Sequence, residues 1–314
     1  MYKLQVRDDM SEGVRYTSAY LPVYSVMGRL SSFLMYSADC HWHRDLEFIV
    51  ILEGEMIYHV NDRLYPLRNG DGIFVNANRL HFGAADAEAL KRRRPPECVF
   101  LCLLLHPSLL CAHPYIETRF VNPLLYDSRF DALFFPASAE DWRTQALERI
   151  RVLMELTMQA PDDSVLEAQS RFYDLMSLLF ANTVALGNTV AEGEKSALYR
   201  DDLAIKQMIG FIQKHFNRKI TLDEIAHAGA VCRNKCCRLF KQALRKSVFD
   251  YLLHFRIRQS LSYLANEKSS VTDVALASGF SSVSYYGEIF KRLLGISPGE
   301  YRRKLRDGGP LPLM

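Results

Sequence analysis

Arginine can bond two points of a guanine edge at once, and asparagine two points of an adenine edge. Arg233, Asn234, Cys237 and Arg238 combine these chemistries at a spacing that shares the outward face of one helix. Lys235 and Lys241 flank them as candidate phosphate contacts, which set register without reading sequence. About fifty positions later the pattern returns in weaker form. Ser282, Val283, Ser284 and Glu288 face outward with Gly287, and Lys291 stands where Lys241 stood. Glu288 occupies the place of Arg238, where it repels phosphate or accepts from a cytosine amino group. The first stretch is therefore expected to carry most of the base preference and the second mainly to position.

The elements that must hold these groups are themselves repeated. Ile225-Ala226 match Val274-Ala275 at an offset of 49, and Leu239-Phe240-Lys241 match Ile289-Phe290-Lys291 at an offset of 50. The extra residue falls in the second turn, around Ser281 and Ser282. Each copy reads as a short helix, a tight turn and a longer helix, the arrangement that offers a recognition helix to a DNA major groove. Thr221 with Glu224 and Ser297 with Glu300 have capping-box spacing, Pro298 takes a first helical position, and Ser270 with Asp273 is a weaker box. Between the copies, residues 247–264 predict an amphipathic helix with Phe249, Leu252, Leu253, Ile257, Leu261 and Leu264 inward. Such a helix spans about 27 Å. With its flanks it can hold two reading heads about one duplex turn apart, roughly 34 Å. Of Cys232, Cys236 and Cys237, Cys236 takes a buried position and the adjacent pair falls on different helical faces, so a thiol sensor is not expected.

Charge is divided the same way. The net charge of the 314 residues is +3, yet residues 201–314 hold 19 basic and 10 acidic side chains while the rest hold 20 and 26. A basic end on an acidic body fits a polyanion-binding module joined to one that does not bind polyanions. The charged first residues lack the apolar core of a signal peptide, and the most apolar run, 99–105, is far too short to cross a bilayer. With seven cysteines in no metal-ligand spacing, a reducing cytoplasm and no membrane are expected. Residues 1–135 read as short strands with turns at Asn61-Asp62 and at 69–72. Residues 91–96 read as a basic, proline-ended surface loop. Helices are predicted over 142–159 and 164–186, joined by 160–163, the second carrying the apolar stripe Leu166, Phe172, Leu175, Met176, Leu179 and Phe180. They either cover the β domain or form a homodimer interface. The expected organisation is 1–135 β domain, 136–187 helical segment, 188–200 linker, 201–306 all-α domain and 307–314 tail.

At Gly279-Phe280, Phe290-Lys291, Gly295, Ser297-Pro298 and Tyr301-Arg302 the chain resembles the AraC/XylS family of bacterial transcription regulators. The resemblance covers 201–306. It departs at Cys232 and Cys236, where the family usually has Ser and Leu, at Arg245, where it has Gly, and at Glu288, which is often basic. It implies an α+β chain that regulates transcription rather than catalysing a reaction. A C-terminal all-α domain of two helix-turn-helix units on a linker helix would bind double-stranded DNA. Partners would be a small-molecule effector, a second copy of the chain and RNA polymerase. Whether transcription rises or falls is left open.

The N-terminal part resembles a cupin-like β-barrel. His41-Trp42-His43, Glu47 and Gly54 follow the HxH(x)3E(x)6G pattern, and Gly70-Asp71 with His81 form a degraded second motif in which Asn76 replaces the usual proline. The resemblance implies that His41, His43, Glu47 and His81 converge. Three imidazoles and a carboxylate suit Fe, Mn, Ni or Zn, and such a site supports metal-dependent enzyme chemistry. The second implication, the one expected here, is a metal-free pocket without cofactor. It would take a polar, ring-shaped effector such as a sugar, with Trp42 and Tyr58 stacking and Arg44, Glu47 and His81 bonding. A third is a vestigial barrel.

Overall fold

A computed structural model describes residues 6–7, 10–17, 20–33, 36–86, 97–126, 130–159, 162–183, 192–244, 246–265 and 269–307. The chain divides into two compact units, one ending at Arg200 and the other carrying Asp201 onward. Among the described residues the first unit contains eight strands: β1 (Val23–Arg29), β2 (Leu46–Glu53), β3 (Glu55–Val60), β4 (Arg63–Arg68), β5 (Gly72–Val75), β6 (His81–Ala84), β7 (Val99–Leu105) and β8 (Ala132–Phe135). They form a five-stranded sheet in the order β1-β7-β2-β5-β8 and a three-stranded sheet in the order β4-β3-β6, with antiparallel pairing between neighbours. The apolar run 99–105 is the fully buried β7. Asn61, at φ +49, makes the β3–β4 turn. Gly54 joins β2 to β3 at φ +79, where an added Cβ would collide with the carbonyl oxygen of Glu97.

Two helices follow, α1 (Trp142–Gln159) and α2 (Val165–Thr183). Phe172, Leu175, Met176 and Leu179 of α2 share one core with Ile150 and Met154 of α1 and with Phe48, Val50 and Leu103 of the large sheet. The stripe on α2 therefore covers the β domain within its own chain, and its central residues are not free to meet a second copy. Leu166 is a further correction: it is 86% exposed.

Among the described residues the chain from Asp201 onward is built of helices: α3 (Glu192–His215), which begins in the first unit, α4 (Leu222–Ala228), α5 (Arg233–Leu244), α6 (Val248–Leu264), α7 (Val271–Ala277), α8 (Val283–Leu294) and α9 (Pro298–Arg306). The expected linker 188–200 is corrected from residue 192 onward, because α3 already begins at Glu192. Residues 184–191, the loop 91–96, residues 160–161, Arg245 and the tail after 307 lie outside the described residues. All three predicted capping boxes are formed, at Thr221/Glu224, Ser270/Asp273 and Ser297/Glu300. Helix α6 lends Ile257 and Leu264 to the core built around Val274, Phe280, Tyr286, Phe290 and Tyr301. Phe249, expected inward, is 47% exposed; the buried positions of α6 include Val248, Leu252, Arg256, Ile257 and Ser260. Among the described residues no helix is long and apolar enough to cross a membrane.

Candidate nucleic-acid interface and barrel site

In each helix-turn-helix unit a capped short helix sets the direction of the longer one. Helix α4 stops at Gly229, and Ala230 turns the chain at φ +50 toward α5. Helix α7 stops at Ser278, and Gly279 makes the same turn at φ +82. The additional residue lies before α8, whose N-cap Ser282 accepts from the Tyr285 N–H. On α5, Cys236, Leu239 and Phe240 face the core while Arg233, Asn234, Cys237, Arg238 and Lys241 are exposed. On α8, Tyr286, Ile289 and Phe290 are buried while Val283, Ser284, Glu288 and Lys291 are exposed. The predicted reading residues thus occupy solvent-facing sides of paired helices.

Three details refine the picture. The Arg233 guanidinium donates through Nε and Nη2 to both carboxylate oxygens of Asp223, on the first turn of α4. That contact raises the Arg233 pKa and lowers that of Asp223. Lys235 is turned toward Asp201, with Nζ 2.5 Å from Oδ1. Ser282 spends its hydroxyl on the helix cap. Tyr285, absent from the predicted set, is 41% exposed at the start of α8. Its phenol can donate to a phosphate or base edge, and only the burial of neighbouring Tyr286 distinguishes the two tyrosines.

The second constellation lies between the two sheets. His41 and His43 alternate onto the interior face of the segment before β2, Glu47 projects from β2, Tyr58 from β3 and His81 from the start of β6. The backbones of His41 and His81 bond each other directly. Five of the seven predicted pocket residues are therefore brought together. Trp42 and Arg44 are not: the two-residue period of extended chain that points His41 and His43 inward turns these two outward, leaving Trp42 half-buried and Arg44 exposed.

Each imidazole has its Nδ1–H donated to a backbone carbonyl. His41 bonds Asp39 O at 2.7 Å, His43 bonds Asp45 O at 3.0 Å and His81 bonds Arg79 O at 2.7 Å. A carbonyl only accepts, so each neutral ring keeps its lone pair on Nε2. Burial pushes the His41 pKa down to about 4 and lowers that of His43 well below its ordinary value, so both rings are neutral near pH 7. His81 Nε2 lies 3.0 Å and His43 Nε2 4.0 Å from Glu47 Oε2. Glu47 also accepts from the Tyr58 hydroxyl at 2.9 Å and from the Cys102 thiol at 3.6 Å. Burial raises the pKa of Glu47 and of Cys102. Sequence reasoning missed Glu12, whose Oε2 is 3.6 Å from His41 Nε2 and whose side chain is 6% exposed. Ligand atoms of His41, His43 and His81 all lie within 4.8 Å of one another. The donor set and its carbonyl-fixed rings fit a transition ion.

Residues 27–134 match the family model described as an AraC-like ligand binding domain, and 225–304 match one described as a helix-turn-helix domain. Over 303 residues the chain is 26% identical to the uncharacterized HTH-type transcriptional regulator YdeC of Bacillus subtilis, which covers 96% of this chain and 99% of the relative. It is 19% identical to the melibiose operon regulatory protein of Escherichia coli over 84% of this chain and 83% of that protein. Among solved structures, fatty-acid-bound ToxT from Vibrio cholerae covers 92% of this chain and 97% of its own at 14% identity, with a TM-score of 0.42.

Proposed function

From its membership of the AraC family of DNA-binding transcription regulators, to which this chain belongs, we propose how it reads DNA and where its effector acts. Helix α5 reads bases through Arg233, Asn234, Cys237 and Arg238. Helix α8 follows the adjacent groove with Val283, Ser284, Tyr285 and Glu288, while Lys241 and Lys291 bind phosphate. The observation that carries this reading is the exposed Arg233, Asn234 and Arg238 face of α5, within a motif that recurs in α8. Two copies bind adjacent sites as a homodimer and meet RNA polymerase there, in the cytoplasm. The dimer surface lies outside the buried stripe of α2.

The effector enters the N-terminal β domain at His41, His43, Glu47, Tyr58 and His81. Its class is argued from space. A sugar keeps one support, the name of the melibiose operon regulator among the similar proteins. It loses the stacking face and the cation that Trp42 and Arg44 were to supply. With the imidazole ligand atoms within 4.8 Å of one another, a ring-shaped effector would bond them from beside the cluster rather than among them.

The reading is tested by selecting bound duplexes from a random pool with the full chain, then measuring affinity across salt concentration. One recurrent sequence with affinity falling steeply as salt rises supports it. Absence of enrichment, or binding indifferent to salt, overturns it.

A further inference from the structure

We propose that Asp223 is a positioning residue for base recognition: it holds the Arg233 guanidinium so that one edge meets guanine and its charge stays off phosphate. This rests on the reading of α5 as a base-reading helix and names what fixes one of its reading groups.

The first argument is what the carboxylate takes and what it leaves. A guanidinium carries five N–H donors in one plane. Asp223 accepts from Nε and Nη2, which form the side edge of that plane. The pair leaves the two parallel donors of the end edge, one on Nη1 and one on Nη2. That edge matches O6 and N7 of guanine. An arginine held by nothing turns either edge to a base or to a phosphate. With the side edge bound across two helices, the plane and reach of Arg233 are set before DNA arrives.

The second argument is charge. A recognition helix offers its N-terminal residues to base edges, while the helix before it crosses the phosphate backbone. Arg233 opens α5 and Asp223 lies in the first turn of α4, so base and backbone both come within reach of the pair. A phosphate drawn to Arg233 would meet the Asp223 carboxylate and be repelled, whereas the uncharged guanine edge would not. The contact lowers the Asp223 pKa and so keeps that carboxylate ionised at neutral pH. Both side chains are exposed, and a surface ion pair of this kind adds little to stability. Its effect is on selection.

The third argument is that α4 does not need Asp223. The cap of α4 is closed by Thr221 with Glu224, and Glu224 also accepts from Arg218. In the second unit Ser270 and Asp273 close the equivalent cap. There Thr272 stands at the place of Asp223, offset by 49, and Val283 at that of Arg233, offset by 50. The acid is present in the head that has the arginine and absent from the head that lacks it.

The test uses the full-length protein and the duplex that it selects, with each base pair varied in turn. Affinity is measured across salt concentration for the wild type, Arg233→Ala, Asp223→Asn and the double variant. Arg233→Ala is expected to abolish preference at one guanine. Asp223→Asn should cut that same preference about tenfold. It should also raise affinity for unrelated duplex and steepen its fall with salt. In the double variant Asp223→Asn should remove no further preference. If Arg233→Ala leaves every preference intact, the reading of Arg233 fails and the proposal with it. If Arg233→Ala removes a preference that Asp223→Asn keeps, the reading stands and the proposal is overturned. Equal loss on all duplexes in Asp223→Asn also overturns it, since a purely structural contact gives that result. Should Asp223→Asn fail to fold, as judged by circular dichroism, the pair is built into the second head. Val283→Arg with Thr272→Asp is expected to create a guanine preference in the part of the site that α8 faces. Val283→Arg alone should raise affinity without that preference. A preference equal in both variants, or absent from both, overturns the proposal.

Discussion

Arg238 and Glu288 occupy equivalent positions on the two reading helices with opposite charge, and both are exposed. An arginine bonded bidentately to guanine discriminates by about 1–3 kcal/mol, whereas a serine can bond several bases. Arg238→Ala is therefore expected to relax base preference at one or two positions of the selected sequence. Ser284→Ala should leave the sequence nearly unchanged. Equal relaxation in both would remove the asymmetry between the heads. These residues were legible because helical periodicity assigns faces, and Cys236, Leu239 and Phe240 mark the inner one. The pairing of Arg233 with Asp223 was not, since it depends on how two helices cross. In the β domain, spacing located His41, His43 and Glu47 but could not supply Glu12, which a separate segment brings alongside. Trp42 and Arg44 lie on the other face through the same strand alternation that brings His41 and His43 together.

At the scale of elements, the clearest local signals were caps and turns, because each is settled within a few residues. The two copies solve one turn differently: Ala230 adopts φ +50 where the second copy uses Gly279 at φ +82. Alanine in the left-handed region costs about 1–2 kcal/mol, partly offset by the entropy glycine loses on folding. Ala230→Gly should accordingly raise stability by up to about 1 kcal/mol. Gly279→Ala should cost about 2 kcal/mol or more, because its Cβ would also collide with the Phe216 carbonyl oxygen. Chemical denaturation of both variants checks the opposite signs. The capping acids add a pH dependence. Hydrogen bonds from Ser270 and Ser297 hold the Asp273 and Glu300 carboxyls below their ordinary values of 3.8 and 4.5. A depressed carboxylate pKa contributes stability that is fully present above the unfolded value and is lost as pH falls through the folded one. Melting temperature should thus fall below about pH 4.5, and Ser270→Ala with Ser297→Ala should flatten that fall. Less legible was the far end of α2. Its apolar stripe looked continuous from Leu166, yet the packing against α1 begins deeper in the helix and leaves Leu166 outside.

For the whole molecule, a basic all-α unit follows an acidic β unit, and function requires that the two reading heads keep a fixed relation. Arg256, near the middle of α6, supplies that relation within the DNA-binding unit. Its Nε donates to Phe216 O and its Nη2 to Arg218 O, both at 2.8 Å, just beyond the end of α3. Its guanidinium carbon lies 5.8 Å from the ring centre of Phe280, in the core of the second head. One side chain therefore ties the approach to the first head, the linker helix and the second head. Hydrogen bonds from a charged donor are worth about 1.5–3 kcal/mol in such settings. Arg256→Leu keeps helix propensity and most of the packing volume while removing both bonds. If two heads grip consecutive grooves, loosening their relation lowers the effective concentration of the second once the first is bound. The variant should lose tenfold or more in affinity for the complete selected site, and much less for a duplex carrying only the α5 half. Equal losses on the two duplexes would mean that Arg256 stabilises the fold without setting the geometry of recognition. An unchanged affinity on both would mean that the heads act independently.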